Sequence, residues 1–327
     1  MPDWVDRDDL RGLWRSHARN TDLAALAARL ESIDAWVTTP AGADHPPALT
    51  DDIDPAPVMF RRGRVADPSA PAVAVVGTRR CTPTGRSVAM ELGAGLAEAG
   101  VTVVSGLALG IDGAAHRGAL AADAAPVVGV VGSGLDMVYP RGNRDLWDAV
   151  AASGTLISEA PLGAEPEGWR FPARNRLIAA LADVVVVVES KRAGGSMHTV
   201  EEALRRGIGV MAVPGSVRNP AAAGTNLLLS EGCAPACCTD DVLVALGLAT
   251  AGASSADPAG RDADAVQVHA GLDPLQVRLL GLLDDGPVSL DVLVLRADAA
   301  VPEVLVAAEG LERLGLLARD GSRVLRA

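Results

Sequence analysis

Between residues 73 and 213 the chain alternates short, uninterrupted apolar runs with longer stretches of helical spacing. The runs are 73–76 (VAVV), 101–104 (VTVV), 127–131 (VVGVV), 155–158 (TLIS), 184–188 (VVVVV) and 209–213 (GVMAV). Most start about 25–30 residues apart, the length of one βα unit. Continuous apolar character marks strands buried on both faces, where a half-exposed strand would alternate. Helical patterns fill the gaps at 86–99, which Gly100 closes, and at 144–153 and 199–206. The pattern predicts an α/β fold, an extended Rossmann-like parallel sheet with helices on both faces. Ligands of such sheets lie outside the carboxyl ends of the strands, so the loops that follow each run are the candidate site.

The flanks read differently. Residues 1–60 offer one short helical stretch, 21–31, and a Pro- and Asp-rich approach, read as an N-terminal helical extension. Residues 61–246 form the Rossmann-like domain. Residues 247–272, rich in Ala, Gly, Asp and Ser, read as a linker. Residues 273–327 hold three helical patterns and a hairpin with a D-G turn, the pattern of a winged helix.

Composition narrows the function classes. Apolar residues make up 49% of the 327, enough for a sizeable core. No apolar stretch is long enough for a membrane span. The acidic start MPDWVDRDDL has no signal-peptide core, so the expected address is the cytoplasm. Four cysteines do not make a disulfide scaffold. The net charge of −12 argues against non-specific coating of duplex DNA. That charge is uneven: residues 1–60 carry five basic and eleven acidic groups, whereas 61–246 carry seventeen and eighteen. The near-neutral middle gathers its arginines in clusters, at 61, 62 and 64, at 79 and 80, and at 170, 174 and 176, with Lys191 beside Arg192. Lys191 is the one lysine, and there are only eight aromatics.

Several chemistries are missing. Lys191 is not in a P-loop setting, and GTRRCTPTG after the first run is not the dinucleotide fingerprint. Cys233, Cys237 and Cys238 lack zinc spacing, so neither metal nor cofactor is assigned. His116 and His198 have no catalytic partner in sequence and read as structural or helix-capping residues.

Three loops are built to receive an anion. Gly77-Thr78-Arg79-Arg80 joins a glycine, which lets backbone N–H groups come close, to two cations. Ser105-Gly106 leads into Gly110-Ile111-Asp112 and a helix N-terminus. Gly194-Gly195-Ser196 precedes Thr199, a candidate N-cap with Glu202 as capping-box partner. A fourth segment, Gly168-Trp169-Arg170-Phe171-Pro172-Ala173-Arg174-Asn175-Arg176, places two aromatics among three arginines and reads as a Pro-containing loop. Aromatic faces stack bases and arginines hold the backbone, the way single strands are gripped without sequence preference. Trp169 could equally plug the core; Phe171 reads as exposed.

Taken in order, HPPALTDDIDPAPVMFRRG, VAVVGTRR, VVSGLALGIDGAAHRGAL, VVGSGLDMVYPRGNRDL, LISEAPLG, FPARNRLIAAL and VMAVPGSVRNPAAAGTNLLLSEG resemble the DNA processing protein A (DprA, or Smf) family over about residues 45–246. The resemblance implies a non-enzymatic protein that binds single-stranded DNA, dimerises and loads the RecA recombinase during natural transformation. It places the family's G-S-R motif on Gly77 to Arg79, with Arg79 the leading phosphate ligand. It places F-P-x-R-N-R on Phe171 to Arg176, with Phe171 the base platform, and S-G-S-L-I-T on Gly194 to Thr199. Thr78, Met197 and His198 depart from that pattern. The last helix, with Glu303, Glu309 and Glu312 against Arg313, suits a protein contact better than DNA.

Two rival readings remain. In one, the chain is a nucleotide N-glycosidase resembling the cytokinin-activating phosphoribohydrolases, with a glutamate such as Glu201 doing the chemistry. In the other, it is a nucleotide sensor that signals through the winged helix.

Overall fold

The computed structural model describes residues 19–64, 67, 69–248, 272–283, 288–297, 299–314, 316–320 and 323–326. The chain divides into two compact units, residues 1–249 and 250–327. The predicted linker falls almost wholly outside the described residues.

The first unit opens with α1 (Leu23–Ser32), β1 (Ala35–Thr38), α2 (Pro47–Thr50) and β2 (Met59–Gly63). The βα succession follows as β3 (Ala72–Val76), α3 (Pro83–Glu98), β4 (Thr102–Ser105), α4 (Ile111–Ala122), β5 (Val127–Val130), α5 (Arg144–Ser153) and β6 (Thr155–Ser158). It continues through α6 (Arg170–Ala180), β7 (Val184–Val187), α7 (Ser196–Arg205), β8 (Gly209–Ala212), α8 (Ala223–Ser230), β9 (Ala234–Pro235) and α9 (Thr239–Ala245). All nine strands form one sheet in the order β1-β2-β6-β5-β4-β3-β7-β8-β9.

All six predicted runs are strands within a residue or two of their expected bounds. From β6 to β9 every pairing is parallel. The sheet is not parallel throughout, however. β2 pairs antiparallel with β6, and β1 antiparallel with β2, so part of the N-terminal extension belongs to the sheet. Short strands with exposed or charged positions, such as AWVT and MFRRG, carry too little apolar pattern to be read as strands.

Successive strand residues point to opposite faces. Val73 and Val75 of β3 enter one core with Leu92, Leu96, Ile111 and Trp147; Ala74 and Val76 enter the other with Leu177, Ile178 and Val200. Each buried valine contributes about 1.5–3 kcal/mol relative to exposure. This double burial is why the strands read as unbroken apolar runs.

After β3 the chain builds outward through β4, β5 and β6, then returns to place β7 beside β3. The strand order therefore reverses between β3 and β7, and the crevice outside the carboxyl ends of these two strands is where such sheets take their ligands.

The second unit contains α10 (Pro274–Leu283), β10 (Val288–Ser289), α11 (Leu290–Ala297), α12 (Val301–Arg313), β11 (Leu317–Asp320) and β12 (Arg323–Arg326). Its strands form an antiparallel sheet in the order β10-β12-β11. Leu279, Leu283, Leu293, Val304 and Leu311 supply its core. The predicted D-G turn reaches beyond the described residues at position 321.

Candidate functional site

A cleft of about 790 Å³ opens at the β3–β7 reversal. The loops after both strands and the start of α6 line it, contributing Gly77, Thr78, Arg79, Arg80, Phe171, Arg174, Asn175, Gly195 and Ser196 from the predicted set. Asp112, Tyr139 and Lys191 also line it: the sequence placed Asp112 at the end of the second anion loop and Lys191 in a basic pair, and gave Tyr139 no role.

Segment 168–176 departs most from expectation. From Arg170 onward it is helix α6, not loop. Pro172 is tolerated because the first turn of a helix has N–H groups with no intrahelical partner, so losing one costs nothing there. Arg174, Leu177 and Ile178, at helical spacing, are the residues that turn inward. Arg174 is consequently buried, and its Nη1 donates to the carbonyls of Gly106 (2.9 Å) and Val130. Arg176 is also committed, to Glu159, to the Asp54 carboxylate (3.2 Å) and to the Asp54 carbonyl (2.8 Å). Asn175 donates to the Gly195 carbonyl at 3.1 Å and ties α6 to the loop before α7.

The backbone nest after β3 and β4 is occupied by the protein's own carboxylate. Asp112, in the first turn of α4, accepts the Gly106 N–H at 3.1 Å and faces the Gly77 N–H. Thr78 donates its N–H to the Glu189 carbonyl at 2.7 Å. Ser105 is buried and donates to the Val75 carbonyl at 2.6 Å. Glycine is required here for packing: a Cβ at 106 would stand 2.6 Å from Asp112 Oδ2 and 2.7 Å from Arg174 Nη2. A Cβ at 77 would meet Ile111 Cγ1 at 2.6 Å. Burial raises the Asp112 carboxyl above its usual range despite the facing arginines, and lowers the Arg174 guanidinium to about 10.

The groups left available stand on the rim. Arg79, Arg80 and Lys191 are exposed and form no ion pair among the described residues. Arg79 lies over the Phe171 ring, 4.9 Å from its centroid, and Tyr139 meets the same ring at 5.2 Å and 33°. Phe171 is half-buried beneath this arginine and tyrosine. Trp169, 62% exposed, and Arg170, stacked on it at 4.5 Å, belong to an adjoining groove of about 220 Å³. Tyr139 had one sequence signal, being the single tyrosine among eight aromatics.

The α7 loop differs in detail. The helix begins at Ser196, so Thr199 lies buried within it rather than capping it, and Glu202 pairs with Arg205 and Arg206. The amides that head α7 have no partner within the helix. His198 is exposed at the cleft edge, its Nδ1 3.4 Å from Glu201, whereas His116 is buried with Nε2 on the Val128 carbonyl. Among the described residues no His, Cys, Asp and Glu group is arranged to hold a metal, and no helix is long and apolar enough to cross a membrane.

Residues 36–247 fit the family model described as DNA recombination-mediator protein A. The chain belongs to that family. Protein Smf of Synechocystis is 30% identical over 315 residues, spanning 86% of this chain and 77% of the relative. DprA relatives from Mycobacterium tuberculosis are 46% identical over 176 residues, and the match spans only 45% of their length. The X-ray structure of DNA processing protein A from Streptococcus pneumoniae superposes with a TM-score of 0.62 at 34% identity, covering 67% of this chain and 77% of that one. The Helicobacter pylori DNA processing protein A, whose structure addresses its single-stranded DNA binding mode, gives 0.58 at 28% identity, covering 64% and 95%. The mixed α/β fold is thus the DprA Rossmann-like fold.

Proposed function

We propose that this chain binds single-stranded DNA in the β3–β7 cleft and passes it to a RecA-type recombinase, acting as a homodimer in recombination or natural transformation. The observation that carries this reading is the conjunction on one rim of uncommitted cations, Arg79, Arg80 and Lys191, with the Phe171–Tyr139 aromatic pair. Phosphates bind the three side chains and the amides of Gly195 and Ser196, and a base stacks on Phe171. The nest after β3, filled by Asp112, takes no phosphate. Family membership and the single-stranded DNA binding of the H. pylori relative support the same assignment. The C-terminal unit serves as a winged helix that contacts protein: α12 carries Glu303, Glu309 and Glu312, and its Arg313 is paired with Glu309 at 2.7 Å.

For the glycosidase alternative, neither Glu201 nor Asp112 is placed to react. Glu201 does not line the cleft, and Asp112, which does, is held by backbone amides. Fluorescence anisotropy with labelled oligo-dT, single-stranded against duplex and over a salt series, tests the proposal. Tight single-strand binding, weak duplex binding and a steep salt slope support it. No binding at low salt would refute it and redirect attention to nucleoside monophosphates and base release.

A further inference from the structure

A second cavity, of about 140 Å³, lies at the amino ends of the parallel strands, away from the cleft. Three polar side chains in its wall are more than nine-tenths buried: His45 at 4% exposure, Arg61 at 4% and Thr102 at 4%. Neither Arg61 Nε nor Thr102 Oγ1 has a hydrogen-bond partner among the described residues, and the His45 ring faces the Thr38 backbone without a bond of full geometry. Arg61 donates from Nη1 to the Asp44 carbonyl, and its guanidinium lies 5.7 Å from the Trp36 ring centroid. The Asp44 carboxylate acts on Arg61 through its charge but forms no ion pair with it. Each unpaired buried donor is costly.

The rest of the wall is mainly apolar, with Val104, Ile157 and Leu181 prominent. Asp44 and Asp67 also border the cavity; Ser69 engages the Asp67 carboxylate through the amide (2.8 Å) and hydroxyl (2.7 Å). The space is comparable with an engineered apolar cavity of roughly 150 Å³ that takes up benzene.

We propose that this cavity is a binding site for a small monocarboxylate bearing a short aliphatic chain or a single ring. The unspent Nε edge of Arg61 offers the forked N–H geometry that two carboxylate oxygens accept. Thr102 Oγ1 and His45, which burial and the neighbouring Arg61 charge keep neutral, supply the remaining hydrogen bonds. The tail rests on the valine, isoleucine and leucine. A phosphate dianion does not suit the site, because one guanidinium is the single cation facing it.

The test is calorimetric titration and thermal unfolding of the full chain with sodium butyrate and sodium benzoate. Butyramide and benzamide serve as neutral isosteres, and sodium chloride controls for ionic strength. The expected result is saturable binding of the carboxylates, at least about tenfold tighter than the amides, a factor worth about 1.4 kcal/mol. Arg61→Gln abolishes it. Thr102→Val, which keeps the shape of the wall and decides the matter if Arg61→Gln does not fold, weakens it severalfold. Equal responses to carboxylate, amide and chloride would overturn the proposal. So would a butyrate-soaked crystal whose cavity holds water alone, or undiminished binding in Thr102→Val. Oligo-dT affinity, read in parallel, reports on the cleft separately, so failure of one site is not failure of the other.

Discussion

Arg79 and Arg174 stand in one cleft, the first on its rim and the second in its floor, and they have opposite fates. In the floor each polar side chain is tied to a neighbour: Asp112 to the Gly106 amide, Arg174 by Nη1 to two carbonyls, Ser105 to Val75 and His116 by Nε2 to Val128. On the rim Arg79, Arg80 and Lys191 form no ion pair among the described residues, and the Phe171 ring meets Arg79 and Tyr139, side chains able to swing away. The contrast separates two kinds of arginine that look alike in a sequence. One kind holds the strand ends in place, and the other is free to bind. A site built in this way keeps its rim geometry fixed because the floor is rigid.

Arg174→Met gives the sharpest test of the distinction. Removing one member of a buried polar cluster costs about 3–5 kcal/mol, because Asp112 then loses the cation across Gly106. Urea unfolding measures it. A loss below 1 kcal/mol, with only DNA affinity changed, would merge floor and rim into a single binding surface.

His116 gives the next largest effect, through pH. Its folded value is pushed down to about 4 by burial, against 6.5 for the exposed ring. Above pH 6.5 neither state takes the proton and stability is complete. Between 6.5 and 4 the unfolded chain binds a proton that the folded chain resists. Stability is therefore lost as pH falls, by roughly 3 kcal/mol over this window. His116→Gln should flatten that slope in denaturation curves collected across the range.

The rim effects are smaller and fall on binding. Phe171→Ala is expected to weaken oligo-dT binding by about 1–3 kcal/mol, the worth of one stacked base. Phe171→Tyr should retain it. Arg79→Ala should weaken binding by about tenfold and reduce the salt slope by about one phosphate. Its stability should change by less than about 1 kcal/mol, since only an exposed cation–π contact is lost.

The sheet was legible because burial on both faces writes itself as unbroken apolar runs, VAVV at 73–76 and VVVVV at 184–188. The location of the cleft followed from the same reading, since loops after parallel strands converge wherever the strand order reverses. The state of each polar group was not legible. Arg174 and Arg176 become structural only once residues 170–180 are helical, and Pro172 hid that helix. Leu177 and Ile178, at i+3 and i+4 from Arg174, carried the opposing signal. The loops after β3 and β4 read as nests for an anion from outside, but the Gly106 amide already meets the Asp112 carboxyl, six residues further on. The antiparallel pair β1–β2 escaped notice because strands of four and five residues with arginines at two positions have no periodicity to detect.

One end of the nine-stranded sheet has a consequence for assembly. β9 is two residues long and ends on Pro235, paired in parallel with Ala212 of β8. Proline has no N–H to offer a further strand, and so short an edge gives a newcomer almost nothing to register against. Growth of the sheet into a ribbon of stacked copies is therefore blocked on this side. A second copy could extend the nine-stranded sheet only along β1, and that edge is itself just four residues long.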